Sequence, residues 1–135
     1  MARLISSEGL AVATVWQEAR GEPFPGKVGV AEVILQRMAR KKYSDGTVEG
    51  TVLRAYQFSG WNTTDPNRTP ATRIDDDDPL VQECIKAWNE AVRGSDTTLG
   101  ATHYVNLNLV RPGWVDSPQM KQTVQIASHT FFKEL

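Results

Sequence analysis

A glutamate near the end of the first helical segment is the residue best suited to acid chemistry. Glu18 follows Thr14 by four positions and Ala11 by seven, so helical spacing places its carboxyl on the buried edge of that segment. Burial raises the pKa of a carboxyl group, and a carboxyl that stays protonated near neutral pH can act as a general acid. The alternative is a helix-end carboxylate paired with Arg20 or Arg37, and position alone favours this alternative.

A polar loop after residue 56 carries side chains that can bind a polar ligand. Gln57 and Ser59 open this loop, and Trp61 lies just beyond them. An indole offers an apolar ring face and one N–H donor, which suits a ring with hydroxyl groups. Packing of Trp61 against the core is an equally good interpretation, and for Ser59 the alternative is a turn cap.

A predicted strand after residue 100 presents a second polar group. Thr102, Tyr104 and Asn106 alternate along it, so we expect the three side chains on one face of the strand. A hydroxyl, a phenol and an amide beside a carboxylic acid can hold a ligand and stabilise developing charge. The alternative is an exposed polar strand face without a ligand.

The metal-binding residue types do not form a recognisable motif. His103, His129 and Cys84 are the available zinc ligands, but their spacing matches no compact zinc motif. The aspartate run at 75–78 lacks the glycine and the ligand spacing of a calcium loop, and it fits a solvated helix start. We therefore predict no metal site and no cofactor.

The hydrophobic pattern predicts a mainly helical α+β fold that positions these residues. Four helices are expected, followed by a small β element near the C-terminus. The first covers 7–20 after a serine cap, the second opens near Pro25 and ends in a basic stretch, the third follows Thr47 and includes Tyr56, and the fourth follows Asp78 and ends at Gly94. The stretch 59–79 is predicted to be a surface loop. Extended segments are expected at 101–105 and 123–132.

Composition narrows the classes of protein that fit. The chain has 135 residues and a net charge of -1, which predicts one domain over 1–135 and argues against nucleic-acid binding through a basic surface. No apolar run is long enough for a membrane helix, and the first residues lack the pattern of a secretory signal. The single Cys84 excludes an intrachain disulfide.

Four separated blocks of sequence resemble one known family. They are WQEARGEPFPGKVGVAEVILQR at 16–37, QFSGWN at 57–62, GATHYVN at 100–106 and IASHTFF at 126–132. In this order they resemble the SleB/CwlJ-type cell wall hydrolases, the peptidoglycan-cleaving domains of spore germination enzymes that also occur in phage lysis proteins. The resemblance spans nearly the whole chain and implies a lysozyme-like or lytic-transglycosylase-like single domain.

The resemblance also implies roles for individual residues. The glutamate of the EARGE block, Glu18, would be the catalytic acid, and the block with Gln57 and Ser59 would line the substrate cleft. Glu22, the second glutamate of that block, could support Glu18, although a loop-fixing carboxylate is the favoured interpretation.

The absence of a clear second carboxylate favours lytic transglycosylase chemistry at the bond between N-acetylmuramic acid and N-acetylglucosamine. Hydrolysis of the same bond by a muramidase, an amidase acting on the stem peptide and a wall-binding module without activity are the alternatives.

The biological setting is a further expectation from the resemblance. Germination enzymes of this type usually carry export signals and a separate wall-binding domain, which this sequence lacks. We therefore expect a compact, monomeric phage endolysin that is made in the host cytoplasm without a signal peptide. It would be released by a holin or another partner, would act on the peptidoglycan glycan strand, and would need no membrane or nucleic-acid partner.

Overall fold

Three helices form the main layer of the structure, a computed structural model that describes residues 6–54 and 57–135. They are α1 (Ser7–Ala19), α2 (Phe24–Arg40) and α5 (Pro79–Val92), and they pack against one another in all three pairs. The expected serine cap of α1 is Ser6, whose hydroxyl accepts the N–H of Gly9 at 3.0 Å. Asp78 caps α5 in the same way through the N–H of Leu80 at 2.8 Å.

The segment between α2 and α5 contains more helical structure than the sequence predicts. The third helix, α3 (Val48–Val52), is shorter than expected, and Tyr56 lies outside the described residues. The predicted surface loop at 59–79 contains a 3₁₀ turn at Ser59–Trp61 and the short helix α4 (Arg68–Ala71). The prediction of a loop without secondary structure was therefore wrong in part, because short turns with little periodicity leave no hydrophobic pattern.

A small antiparallel sheet lies near the C-terminus, as predicted. Its strands β1 (His103–Val105), β2 (Met120–Ile126) and β3 (His129–Glu134) lie in the order β1-β3-β2. The extended structure expected at 123–132 is confirmed, and it belongs to two strands, since β2 and β3 form a hairpin in which Ile126 pairs with His129. The chain turns at Ala127, which has a φ of 51°. Alanine rarely adopts this left-handed conformation, so its presence in a sequence does not indicate a turn.

The sheet packs closely against α2 through a glycine. A Cβ atom on Gly29 would lie 2.6 Å from Cζ of Phe131, so a side chain there would force β3 away from the helix. Phe131 is fully buried with Val33 and Ala101 in a small core beneath the sheet. A larger core fills the space between the helices, and Tyr104 packs against both cores. The mainly helical α+β fold is therefore confirmed.

Two further features concern the chemistry expected of the chain as a whole. Cys84 is fully buried in the larger core, and burial raises the pKa of its thiol to about 11. The thiol is therefore protonated and unreactive near neutral pH.

Within residues 6–54 and 57–135, no helix has both the length and the apolar character needed to cross a membrane.

A buried glutamate on α2 attaches the helix to the loop that leads into the sheet. The carboxylate of Glu32 accepts hydrogen bonds from Ser95, Thr97 and Thr98 over distances of 2.7 to 3.0 Å. Burial acts to raise the pKa of Glu32, yet these hydrogen bonds together lower it below its usual value. The ionised carboxylate therefore stabilises the fold and positions the start of β1.

We expect the substitution Glu32→Gln to lower the free energy of unfolding by about 1 to 3 kcal/mol near neutral pH, because a charged acceptor is lost. The folded pKa lies below the unfolded one, so the contribution is complete above the unfolded pKa and disappears as the pH falls through the folded pKa. Urea unfolding should therefore show the two proteins converging in acid. Glu90→Gln, an exposed change on α5, serves as control, and equal stability of Glu32→Gln and wild type at neutral pH would contradict the role.

Candidate active site

The carboxyl of Glu18 meets the phenol of Tyr104 where α1 faces β1. The Tyr104 hydroxyl donates a hydrogen bond to Oε1 of Glu18, across 86 positions of sequence. Glu18 occupies the last turn of α1, and Tyr104 is the middle residue of β1, paired with Phe131 of the central strand. Both side chains are therefore fixed by regular secondary structure, which is the arrangement that precise acid chemistry requires.

The surroundings of Glu18 favour its protonated form. Burial raises the pKa of its carboxyl, while the hydrogen bond from Tyr104 and the charge of Arg37 oppose that rise without cancelling it. Burial together with the neighbouring Glu18 keeps the pKa of Tyr104 well above its usual value, so the phenol remains a donor. A carboxyl with a raised pKa beside a fixed donor can give up a proton and then be stabilised as a carboxylate.

A buried arginine lies behind this pair. Arg37 is 5% exposed, and its Nε donates to the carbonyl oxygen of Thr102 at 2.7 Å. One of its terminal nitrogens lies 3.3 Å from Oε1 of Gln57. Among the residues that the structure describes, no carboxylate forms an ion pair with it. The positive charge of Arg37 therefore lowers the pKa of Glu18 by electrostatic attraction over a distance. It does not form the direct ion pair with Glu18 that sequence position alone favours.

Glu22 has a different setting from Glu18. Oε1 of Glu22 accepts hydrogen bonds from the N–H and the hydroxyl of Ser128, at the turn between β2 and β3. The same oxygen lies 3.8 Å from Nδ1 of His129, whose ring packs against that of Tyr104 with centroids 4.9 Å apart. Glu22 thus attaches the sheet hairpin to the start of α2, which agrees with the favoured loop-fixing interpretation.

The loop residues predicted to bind a ligand occupy three different environments. Gln57 is half-buried and contacts Arg37, whereas Ser59 is exposed at the start of the 3₁₀ turn. The indole N–H of Trp61 donates to the hydroxyl of Thr14 at 2.9 Å, and its ring packs partly against the larger core. Thr14 lies one helical turn before Glu18 on the same face, so the partly exposed ring of Trp61 lies near the carboxyl, with its donor already used.

The predicted polar face of β1 is only partly realised. Thr102 is fully buried, and its hydroxyl accepts the backbone N–H of Glu134 at 2.9 Å. The side chain of Asn106 accepts the N–H of Asn108 at 3.0 Å in a turn beyond the strand. Only Tyr104 of the three reaches Glu18. The expected contact of Thr102 with a ligand was wrong, because β1 begins at His103 and the hydroxyl before it is used to join the strands.

A cavity of about 360 Å³ opens beside Tyr104. Its walls come from the ends of α2 and β3, from β1, and from the segment between β1 and β2. The lining residues are Arg37, Tyr43, Gln57, His103, Tyr104, Trp114, Ser117, Met120 and Glu134. Its volume is within the usual range for small-ligand sites, and it shares Tyr104 with the Glu18 carboxyl.

A model of the protein family described as Cell Wall Hydrolase matches residues 21–132. The chain belongs to this family. The resemblance to SleB/CwlJ-type hydrolases that the four sequence blocks indicate is thereby confirmed. The matched region begins three residues after Glu18, so the case for this carboxyl depends on its geometry.

Several proteins similar to this chain are spore cortex-lytic enzymes. The protein from Halalkalibacterium halodurans is 32% identical over 123 residues, which are 90% of this chain and 33% of that protein. The Bacillus subtilis protein is 28% identical over 127 residues, which are 90% of this chain and 36% of that protein. The chain therefore spans about a third of the length of these relatives.

Two solved structures share the fold of this chain. The catalytic domain of the germination-specific lytic transglycosylase SleB from Bacillus anthracis superposes with a TM-score of 0.75 at 26% identity, over 94% of this chain and 93% of that one. The catalytic domain of the Bacillus cereus SleB protein gives a TM-score of 0.76 at 27% identity, over 94% of this chain and 89% of that one.

Enzymes that hydrolyse glycosidic bonds often pair the acid with a second carboxylate, and Asp65, Asp96 and Asp116 lie outside the α-helices and β-strands of this chain. Asp96 accepts the N–H of Gly100 at 2.9 Å, and Asp116 forms an exposed ion pair with Arg111 at 2.6 Å. Asp65 is the one that affects Glu18, since its charge contributes to the raised pKa of Glu18. Its Oδ1 accepts the N–H of Asn67 at 2.8 Å.

The groups that resemble metal ligands do not converge on the candidate site. Within the described parts of the chain, His103 and His129 do not form a ligand cluster with Cys84, and the one group of three candidate ligands is Asp75, Asp76 and Asp77. These three aspartates precede the cap of α5, as expected for a solvated helix start. The predicted absence of a metal and of a cofactor stays a prediction.

The roles of several residues at the candidate site were not predicted from the sequence. Arg37 was considered only as a cation at the basic end of α2 or as an ion-pair partner of Glu18, and His129 only as an unused metal ligand. The sequence analysis assigned no role to Tyr43, Trp114 or Glu134. One available signal was the position of Arg37, which follows Val30, Val33 and Ile34 at helical spacing and so belongs to the buried face of α2.

Proposed function

We propose that this chain degrades peptidoglycan by cleaving the glycosidic bond between N-acetylmuramic acid and N-acetylglucosamine, as a lytic transglycosylase. The observation that carries the proposal is the partly buried Glu18 carboxyl, whose pKa is raised and which accepts a hydrogen bond from Tyr104. Within the described residues, Tyr104 is the one side chain that hydrogen-bonds to Glu18. The similarity to a SleB lytic transglycosylase domain supports the same reaction.

In this mechanism Glu18 acts twice. Its carboxyl first gives its proton to the glycosidic oxygen while the bond from that oxygen to C1 of the muramyl residue breaks. The resulting carboxylate, stabilised by the Tyr104 hydroxyl and the charge of Arg37, then removes the proton of the muramyl 6-hydroxyl as that oxygen bonds to C1. The products are a free 4-hydroxyl on N-acetylglucosamine and a 1,6-anhydromuramyl end, and no water is consumed.

Hydrolysis by a muramidase mechanism is the second candidate, and Asp65 is the observation that favours it. Its negative charge is close enough to raise the pKa of Glu18, as a second carboxylate across the cleft would do. In that reaction Asp65 would activate a water molecule or stabilise the cationic sugar. Asp65 lies in the segment after the 3₁₀ turn and is half-buried.

Mass spectrometry of the products separates these reactions. Digestion of purified sacculi should release muropeptides whose muramyl end lacks one water relative to a reducing sugar. Reducing muramyl ends would instead indicate the muramidase, and release of free stem peptides would indicate the alternative amidase. Binding to sacculi without release of any fragment would contradict catalysis and support a wall-binding module.

The biological setting of this activity, including its release partner, is a separate set of predictions. A phage endolysin that is made in the host cytoplasm and released with a holin stays a prediction, as do the monomeric state and the single domain over 1–135. The predicted binding of the glycan by Gln57, Ser59, Trp61, Tyr104 and Asn106 is part of the proposal, with Glu22 as structural support for the site.

A further inference from the structure

The cavity beside Tyr104 has a composition that suits a sugar. Tyr43 and Trp114 flank the ring of His103, with centroid distances of 5.6 and 5.0 Å. Trp114 is fixed from behind by Phe132, which it meets edge-on at 5.3 Å, and it remains half-exposed in the 3₁₀ turn Gly113–Asp116. An immobilised, partly exposed indole is a ready surface for the apolar face of a pyranose ring.

Polar groups surround this aromatic wall. The carboxylate of Glu134 accepts the Tyr43 hydroxyl at 3.1 and 3.2 Å and pairs with Lys42 at 3.5 Å. The amide of Gln57 and the hydroxyl of Ser117 also line the cavity. These groups supply donors and acceptors of the kind that hydroxyl and N-acetyl groups of a sugar require.

The charge of the cavity favours a neutral ligand over an ion. Arg37 and Glu134 contribute one charge of each sign to its wall. Burial, assisted by the charge of Arg37, lowers the pKa of His103 to about 4, so this histidine is neutral under ordinary conditions. A cavity with balanced charges, an aromatic wall and several hydrogen-bonding groups suits an uncharged N-acetylated hexosamine.

We propose that the cavity lined by Tyr43, Gln57, Trp114 and Glu134 binds one N-acetylated hexosamine of the glycan strand, adjacent to the bond that Glu18 cleaves. Tyr104 connects the two sites, since its ring lines the cavity and its hydroxyl contacts Glu18. This inference depends on the proposed function for its substrate class. It assigns the main binding contact to Trp114, a residue outside all the sequence blocks that resemble the family.

Kinetics on soluble peptidoglycan fragments test the assignment. Trp114→Ala should raise KM about tenfold, with kcat changed by less than about threefold. Trp16→Ala is the matched control, because Trp16 is also half-exposed but lies two residues before Glu18 and therefore on the opposite side of α1. Equal KM values for wild type and Trp114→Ala would overturn the inference while leaving the proposed reaction intact.

A second variant covers the case in which Trp114→Ala fails to fold. Ser117→Tyr keeps the aromatic wall but fills the cavity from its rim, and it should raise KM to a similar extent. Gln119→Tyr, two positions on and exposed, should not. Unchanged KM for Ser117→Tyr would also count against the sugar site.

A binding measurement separates failure of this inference from failure of the proposed function. Glu18→Gln protein should bind an N-acetylglucosamine tetramer, and the added Trp114→Ala change should weaken that binding about tenfold. Wild type that releases no muropeptides would contradict the proposed function alone. Binding of the tetramer that is insensitive to Trp114→Ala would contradict the sugar site alone.

Discussion

Glu18→Gln should reduce the release of muropeptides from sacculi by about 10² to 10⁴-fold, which is the usual contribution of a positioned general acid. Glutamine has nearly the same shape and can still accept the Tyr104 hydrogen bond, but it has no proton to give to the glycosidic oxygen. Turbidity loss of sacculi over time and mass spectrometry of the soluble products measure the effect directly.

The stability of the same variant shows whether the loss is chemical. We expect its free energy of unfolding to remain within about 1 kcal/mol of wild type, because no packing is removed. Glu8→Gln, an exposed change in the first turn of the same helix, should keep full activity. Normal clearing by a correctly folded Glu18→Gln protein would contradict the proposed role of this carboxyl.

The helical part of the fold was predictable because its signals are local. Ser6 and Asp78 cap their helices as their sequence contexts indicate, and the hydrophobic spacing of α1 places Glu18 on an inward edge. The same spacing supports the acid chemistry of Glu18 before any partner is known. Spacing could not identify Tyr104 as the hydrogen-bonding partner, because this contact joins residues 86 positions apart and depends on the folded chain.

The sheet was harder to predict because its decisive features are tertiary. Ala127 adopts a left-handed turn without the glycine or asparagine that usually marks one, so no residue type marks the turn between β2 and β3. Thr102 shares the alternation of Tyr104, yet pairing of the chain before β1 with β3 buries its hydroxyl. Alternation assigns a face to a side chain, but only the neighbouring strand decides whether that face is open.

The cavity illustrates a further limit of sequence reasoning. Arg37, Trp114 and Glu134 come from α2, a 3₁₀ turn and the last strand, and no local pattern connects them. Arg37 also looks like an ordinary cation at a helix end, where a positive charge complements the helix dipole. Its burial beneath Tyr43 and Phe58 follows from the side of α2 on which it lies.

Tyr104→Phe should lower kcat/KM by about 10- to 100-fold, because a hydrogen bond to a charged group contributes roughly 1.5 to 3 kcal/mol. The phenol stabilises the carboxylate that Glu18 forms after giving up its proton, and phenylalanine keeps the packing against His129 and Phe131. The same hydrogen bond lowers the pKa of Glu18, so its loss should raise that pKa further.

The pH profile then distinguishes this positioning role from a loss of packing. Activity requires the protonated Glu18 carboxyl, so kcat/KM falls as the pH rises through the pKa of Glu18 in the free enzyme. In Tyr104→Phe this alkaline limb should move to higher pH. Tyr43→Phe removes a phenol that contacts Glu134 instead, so it should leave the limb where it is in wild type. An unmoved limb in Tyr104→Phe would mean that the phenol does not act on the Glu18 carboxyl.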